Sequence, residues 1–179
     1  DVNNVPNVNW LEQITTDAPI SNVVLSVAGQ SKDLKTKYFV SGNYFDQTGI
    51  IRASGIKKYI FRTNLDLELS EKIDVGVKMN LSKLNIEQNK VNLGAALFSA
   101  GLPNRAIYDE NGNFTDSNPV SDSPSRNPEA DILLRESNNK ITNMFGNLYI
   151  DFEPIKNLKF RSTLGVELNS NKDNFYRPA

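Results

Sequence analysis

The sequence predicts an all-β fold, in which about six antiparallel up-and-down strands form one segment of a transmembrane β-barrel. Three observations lead to this prediction: apolar and polar residues alternate, the alternating segments are long, and short connections alternate with long ones. Because successive side chains of a strand point to opposite faces, the alternation gives the sheet one apolar and one polar face. In a barrel wall, the apolar face meets lipid and the polar face meets water.

The alternation is clearest in residues 59–69. One side of this segment carries Tyr59, Phe61, Thr63, Leu65, Leu67 and Leu69, and the other side carries Ile60, Arg62, Asn64, Asp66 and Glu68. At about 3.3 Å per residue, the run is about 33 Å long. A tilt of about 40° reduces its height to roughly 25 Å, which matches the apolar band of a membrane barrel. The segment is therefore interpreted as a strand that crosses a membrane.

Six segments have strand character, and each is longer than the five or six residues usual for strands of globular proteins. They are residues 21–30, 37–47, 57–70, 73–85, 140–153 and 158–170. The fourth continues the pattern with Val75, Val77, Met79 and Leu81 on its apolar side, and the sixth does so with Phe160, Leu164, Val166 and Leu168.

The connections between these segments alternate in length. The short ones are predicted at 31–36, 71–72 and 154–157, whereas 48–56 is longer and 86–139 is very long. Outer-membrane barrels have short periplasmic turns and long extracellular loops. We therefore expect residues 86–139 to form an extracellular loop and the first strand to run toward the periplasm.

The long loop contains local signals of its own. Residues 91–100 are rich in Ala and Leu and are followed by Gly101 and Pro103, which predicts a short helix. Asn111-Gly112 predicts a turn. Residues 116–128 are dense in Ser, Asn, Asp and Pro, which indicates irregular exposed chain.

Composition excludes several classes of chemistry. The 179 residues include no cysteine and no histidine, so disulfides, thiolate metal sites and His-dependent triads are impossible. A formal charge of −1 gives no reason to expect nucleic-acid binding. Residues 109–113 superficially resemble a calcium-binding loop, but their glycine comes fourth, whereas an EF-hand requires it at the sixth position. The sequence also gives no reason to expect a cofactor. Since the chain begins at Asp1 and ends without a closing strand, we expect an internal segment of a longer polypeptide.

Two pairs of carboxylates lie on the polar sides of the predicted strands, Asp66 with Glu68 and Asp151 with Glu153. Paired carboxylates are used by glycosidases. The preferred interpretation is a polar wall in which basic residues balance these charges. The candidates for that role are Arg62, Lys78, Lys159 and Arg161.

Several stretches of the sequence resemble, in the same order, stretches that are typical of one known family. They are 6–11 (PNVNWL), 24–31 (VLSVAGQS), 38–51 (YFVSGNYFDQTGII), 61–66 (FRTNLD) and 107–112 (IYDENG). Through them the chain resembles the early barrel region of the SusC/RagA family of TonB-dependent outer-membrane transporters. Asn9 stands where the family usually has Asp, and Asn157 stands where it commonly has Gly.

The resemblance implies a role that composition and periodicity do not give. It implies that residues 1–179 are part of a barrel of about 22 strands, which encloses a plug that this chain lacks. It also implies the outer membrane of a Gram-negative bacterium as the location. A SusD/RagB-like surface lipoprotein and TonB would be the partners, TonB acting through parts outside this chain. The cargo would be an oligosaccharide or a peptide.

Candidate contact residues come from the long loop, because loops carry recognition and because Arg and aromatic side chains favour it. They are Arg105, Tyr108 and Phe114. Two other functions stay open. One is a soluble β-barrel module that binds a small ligand and buries Leu65 and Val77 in its core. The other is a surface glycan-degrading enzyme that uses carboxylates such as Asp66 and Glu68.

Overall fold

The computed structural model describes residues 5–88, 103–115 and 127–176. The helix predicted at 91–100 lies outside the described residues, as does 116–126 of the predicted irregular stretch. The described residues form α1 (Trp10–Ile14), β1 (Ile20–Gln30), β2 (Thr36–Thr48), β3 (Gly55–Ser70), β4 (Ile73–Glu87), α2 (Pro128–Leu134), β5 (Glu136–Ile155) and β6 (Leu158–Tyr176).

The strands form one six-stranded sheet in the order β1-β2-β3-β4-β5-β6, and each strand is antiparallel to the next. The predicted up-and-down arrangement is therefore confirmed. The short connections lie at one end of the sheet. The other end, called the loop end below, carries the connections 49–54 and 88–135.

Strands β5 and β6 are longer than predicted. At the loop end they pair as far as Glu136 with Tyr176, whereas the sequence predicted strands of 140–153 and 158–170. The added residues are mostly polar, so apolar alternation gives no signal for them. The predicted turn 154–157 shortens to 156–157, because β5 continues through a register shift between Phe152 and Ile155.

The register places the apolar sides of all the strands on one face. Direct cross-strand partners share a face, so a row of partners can be followed across the whole sheet. One such row is Leu25, Gly42, Phe61, Leu81, Met144 and Leu168. The alternation in each strand therefore adds up to a continuous apolar surface, called the apolar face below, and a polar face behind it.

The apolar face is exposed. Phe61 is 41% exposed, Val77 42% and Leu164 63%, so these side chains do not gather into a dry interior. This contradicts the burial of Val77 that the soluble-module alternative requires. None of the described helices has the length and apolar character needed to cross a bilayer.

The buried apolar side chains of the described residues lie outside the sheet. Trp10 and Ile14 of α1 and Ile132 of α2 are 0–5% exposed. Each helix begins at an asparagine cap: the side chain of Asn9 accepts from the backbone N–H of Glu12, and that of Asn127 accepts from two N–H groups of α2. The prediction that irregular chain extends to residue 128 is wrong at its end, because Pro128 occupies the first turn of α2.

Candidate functional site

Four segments distant in sequence meet at the loop end of the sheet. They are residues 8–16, 49–54, 103–115 and 127–135, called the loop cluster below. The first two are joined by backbone hydrogen bonds, from Thr16 N to Ile50 O at 2.9 Å and from Arg52 N to Ile14 O at 3.0 Å. Val8 N donates to Pro103 O at 2.7 Å, which ties the first segment to the third.

Asn127 joins the third and fourth segments. Its Nδ2 donates to the carbonyl of Ile107 at 2.8 Å, while its Oδ1 accepts from Glu129 N at 3.0 Å. The side chain therefore caps α2 and holds the neighbouring loop at the same time. Asn127 is only 3% exposed, so its polar atoms depend on these partners.

Glu129 connects three of the segments through one carboxylate oxygen. Nη1 of Arg52 lies 3.1 Å from Oε1 of Glu129 and also donates to the carbonyl of Gln13 at 2.8 Å. The Tyr108 hydroxyl donates to the same Oε1 at 3.4 Å. The Glu129 side chain is 7% exposed, and its Oε2 is buried without a hydrogen-bond partner among the described residues.

Tyr108 and Phe114 lie opposite each other in a small hairpin. They form an antiparallel bridge, and their ring centroids are 5.1 Å apart with planes tilted by 33°. Tyr108 is 45% exposed, so the ring pair presents aromatic surface to the surroundings. The predicted turn at Asn111-Gly112 is confirmed, with Gly112 at a φ of +81°, which costs glycine little.

Asp109 organises the turn of this hairpin. Its Oδ1 accepts from the backbone N–H of Asn113 at 2.8 Å and from that of Asn111 at 2.9 Å. These hydrogen bonds, above all the one from Asn113, lower the pKa of the Asp109 carboxyl below its ordinary value, because they favour the ionised form. No described cluster of three or more Asp or Glu side chains is arranged to hold a metal ion.

The structure brings together two of the three predicted contact residues. Tyr108 and Phe114 form the ring pair, whereas Arg105 is partly buried in the chain just before the hairpin. Sequence reasoning missed Arg52 and Glu129. A signal for Glu129 was present, because Asn127 followed by Pro128 and an acidic residue is a typical helix start.

The polar face carries the other concentration of charge, near the short connections. Nε and Nη2 of Arg161 donate to the two carboxylate oxygens of Asp151 at 2.6 and 2.7 Å. Nζ of Lys159 lies 2.8 Å from the same carboxylate, which is 3% exposed. Arg161 and Lys159 therefore balance Asp151 as the sequence predicted.

Tyr149 extends this network across the sheet. Its hydroxyl donates to Oδ1 of Asp66 at 2.6 Å, and its ring lies 4.7 Å from the Arg161 guanidinium carbon. Asp151 is therefore tied to side chains of the neighbouring strand β6, and Asp66 of β3 is tied across β4 to Tyr149 of β5. That arrangement favours a structural wall over a catalytic pair of free carboxylates.

Comparison with curated proteins identifies relatives of this chain. It is 37% identical over 174 residues to TonB-dependent receptor P26 of Formosa agariphila, covering 97% of this chain and 17% of the relative. It is 26% identical over 183 residues to TonB-dependent receptor P3 of the same organism, covering 96% and 18%. No family model matches the chain. The chain thus spans less than a fifth of the length of these relatives.

Solved structures give the same fold. The RagAB peptide importer in its closed-closed state matches with a TM-score of 0.71 and 24% identity, over 98% of this chain and 20% of that one. A structure of the RagAB peptide transporter matches with a TM-score of 0.72 at 24% identity over the same shares. The predicted resemblance to TonB-dependent transporters is confirmed, and so is the β-barrel strand architecture. The relatives are named as a TonB-dependent receptor and a peptide importer, which agrees with the non-catalytic interpretation of the carboxylates.

Proposed function

We propose that this chain forms part of the wall of an outer-membrane importer. The premise is that the chain belongs to the TonB-dependent receptors and corresponds to one segment of such a receptor. The observation that carries the proposal is the exposed apolar face, which is continuous across all six strands and is backed by a polar face. A sheet with this division separates lipid from an aqueous lumen. The location is the outer membrane of a Gram-negative bacterium.

The loop cluster lies outside the cell in this proposal, and the short connections face the periplasm. The extracellular loop is then the connection 88–135 between β4 and β5, because residues 86–87 and 136–139 of the predicted loop belong to these strands. A SusD/RagB-like surface lipoprotein docks on this side, and TonB engages parts of the receptor beyond this chain. The support is the RagAB fold match together with the names of the curated relatives.

The cargo is an oligosaccharide or a peptide, and the loop cluster contributes to its capture. Tyr108 is 45% exposed and Phe114 is partly exposed, so their ring pair suits stacking against sugar rings or apolar peptide side chains. Arg105 supplies a cation in the same segment. Glu129 and Arg52 hold the pair in place through the Tyr108 hydroxyl.

The lipid-facing assignment is tested by placing a charge on each face of the sheet. Leu65→Arg puts a charge on the apolar face of β3, and Ser82→Arg puts the same charge on the polar face of the neighbouring strand β4, opposite the neutral residues Ile60 and Asn143. An arginine facing lipid at mid-bilayer costs about 2–4 kcal/mol. We expect Leu65→Arg to lower the amount of folded full-length receptor in the outer membrane, whereas Ser82→Arg leaves it unchanged. Equal effects of the two substitutions would reject the assignment.

The role of the loop cluster is tested separately in the full-length receptor. Replacing residues 103–115 with a Gly/Ser linker removes Arg105 and the ring pair while leaving every strand intact. We expect normal amounts of receptor in the outer membrane, together with impaired uptake or impaired co-purification of the lipoprotein. Normal uptake and normal co-purification by this variant would reject a recognition role for residues 103–115.

A further inference from the structure

Three lysines lie at one edge of the apolar face, on the side of the loop end. Lys140 and Lys172 are direct cross-strand partners, and Lys83 is the partner of Thr142, the next residue of β5 on the same face. All three side chains are exposed. The lysines therefore form a compact group on neighbouring strands, called the lysine triad below.

The charge of the lysine triad is not balanced by the sheet. Like charges directly opposite each other in a sheet are destabilising, yet Lys140 faces Lys172. Within the described part of the chain, none of the three forms an ion pair. At the loop end, this face also carries three carboxylates, and none of them is the direct cross-strand partner of a triad lysine. Asp46 faces Lys57 and Ser21, Glu87 faces Gly55 and Asn138, and Glu136 faces Tyr176.

An apolar groove of about 500 Å³ runs along the same face up to Lys83 and Thr142. Its apolar walls include Val23, Leu25, Tyr44, Tyr59, Phe61 and Leu81. The groove exists because Gly42 has no side chain between Leu25 and Phe61, and an added Cβ there would have no atom within 4 Å. A groove that suits a hydrocarbon chain thus leads to a cluster of cations that have no ion-pair partner among the described residues.

We infer that the groove and the lysine triad bind one phosphorylated glycolipid of the outer leaflet, with an acyl chain in the groove and its phosphate on the lysines. A phosphate offers up to about two negative charges and three acceptor oxygens, which matches a group of three ammonium donors. The bound phosphate would also relieve the repulsion between Lys140 and Lys172. The inference rests on the proposed contact of the apolar face with lipid.

The charge requirement is tested by titrating the full-length receptor, in neutral detergent, with bis-phosphorylated lipid A. The triple variant Lys83→Gln, Lys140→Gln, Lys172→Gln is compared with Lys32→Gln, Lys35→Gln, Lys156→Gln, which loses the same charge from exposed turns at the opposite end. Each lysine near an anionic surface contributes about a five-fold factor in affinity, so the triad variant is expected to bind roughly 100-fold more weakly. The control variant keeps wild-type affinity, and dephosphorylated lipid A binds wild type and triad variant equally weakly.

The groove requirement has a matched pair of its own. Gly42→Leu fills the groove, whereas Gly146→Leu adds the same side chain elsewhere on the apolar face, where an added Cβ also has no atom within 4 Å. Only Gly42→Leu is expected to weaken lipid A binding. Equal affinities of the two lysine variants, or of lipid A with and without phosphate, would overturn the inference. Absence of the wild-type receptor from the outer-membrane fraction would instead overturn the proposed function.

Discussion

Nη1 of Arg52 lies 3.1 Å from Oε1 of Glu129, although 77 residues separate the two in the chain. The Glu129 carboxylate is nearly buried, so this contact satisfies a charge that water cannot reach. The pair joins the connection between β2 and β3 to α2, and the Tyr108 hydroxyl adds the hairpin to the same oxygen. This ionic junction adds to the backbone hydrogen bonds and to the Asn127 side chain, which also join the segments of the loop cluster.

Arg52→Ala is expected to loosen the loop cluster without unfolding the sheet. It removes a charged hydrogen bond and leaves a buried carboxylate unpaired, which costs about 1–3 kcal/mol. A loss of 1.4 kcal/mol corresponds to about tenfold more of the opened state, so limited proteolysis between residues 103 and 135 should accelerate by about that factor. Lys58→Ala removes an exposed cation near the same end of β3 and serves as the control. Equal cleavage rates for the two variants would contradict the role of the junction.

Gly76→Ala is expected to disrupt the hydrogen bond between Tyr149 and Asp66 on the polar face of the sheet. The ring of Tyr149 lies over Gly76, and an added Cβ would come within 2.1 Å of its Cε1 atom. Moving the ring breaks the 2.6 Å hydrogen bond from its hydroxyl to Asp66. We expect the free energy of unfolding of the receptor to fall by about 1.5–3 kcal/mol, the value for hydrogen bonds to charged groups.

The matched control for this substitution is Gly165→Ala, on β6. Gly165 is the cross-strand partner of Asn147, which shares the polar face with Tyr149, and an added Cβ there has no atom within 4 Å. Guanidinium unfolding in micelles should show an unchanged midpoint for Gly165→Ala and a lower one for Gly76→Ala. Similar midpoints would show that the ring can move at no cost.

Most of the sheet could be predicted because alternation is a local property. In β3 and β4, the polarity of each side chain indicates which face of the sheet it lies on, and the two-residue turn at 71–72 fixes the register of the two strands. The polar ends of β5 and β6 could not be predicted in this way. Residues such as Asn138 and Asn174 become strand because they pair with each other, and neither sequence segment indicates that alone.

The loop cluster was less predictable because part of it is held by contacts between residues far apart in the sequence. The Asn111-Gly112 turn and the pairing of Tyr108 with Phe114 follow from local sequence, whereas the contact of Arg52 with Glu129 is entirely nonlocal. Helices of five and seven residues are also too short to show a 3.6-residue period. Capping residues such as Asn127 are the local sequence signal of these short helices.

Asp151→Asn is expected to weaken the join between β5 and β6. Asparagine keeps one carbonyl oxygen for Arg161 but loses the charge and the second acceptor that Asp151 supplies. Because the Arg161 and Lys159 side chains are about half exposed, solvent screens part of this interaction. We expect a lower guanidinium midpoint for this variant. Glu167→Gln, which neutralises an exposed carboxylate on the same face of β6, should leave the midpoint unchanged; an equal decrease would contradict a specific role for Asp151.

The hairpin of residues 107–115 is expected to lose protection only in acid. The Asp109 carboxyl has a pKa below its ordinary value of 3.8, because backbone N–H groups, first that of Asn113, donate to its ionised form. Its stabilising effect is therefore fully present above pH 3.8 and disappears as the pH falls through the lower pKa of the folded hairpin. Hydrogen–deuterium exchange, corrected for the intrinsic rate at each pH, should show constant protection above that range and a decrease below it. Asp109→Asn keeps an acceptor oxygen but cannot titrate, so its protection should be lower than wild type at neutral pH and should not change across the same interval. A wild-type hairpin whose protection decreases as the pH rises would contradict this explanation of the turn.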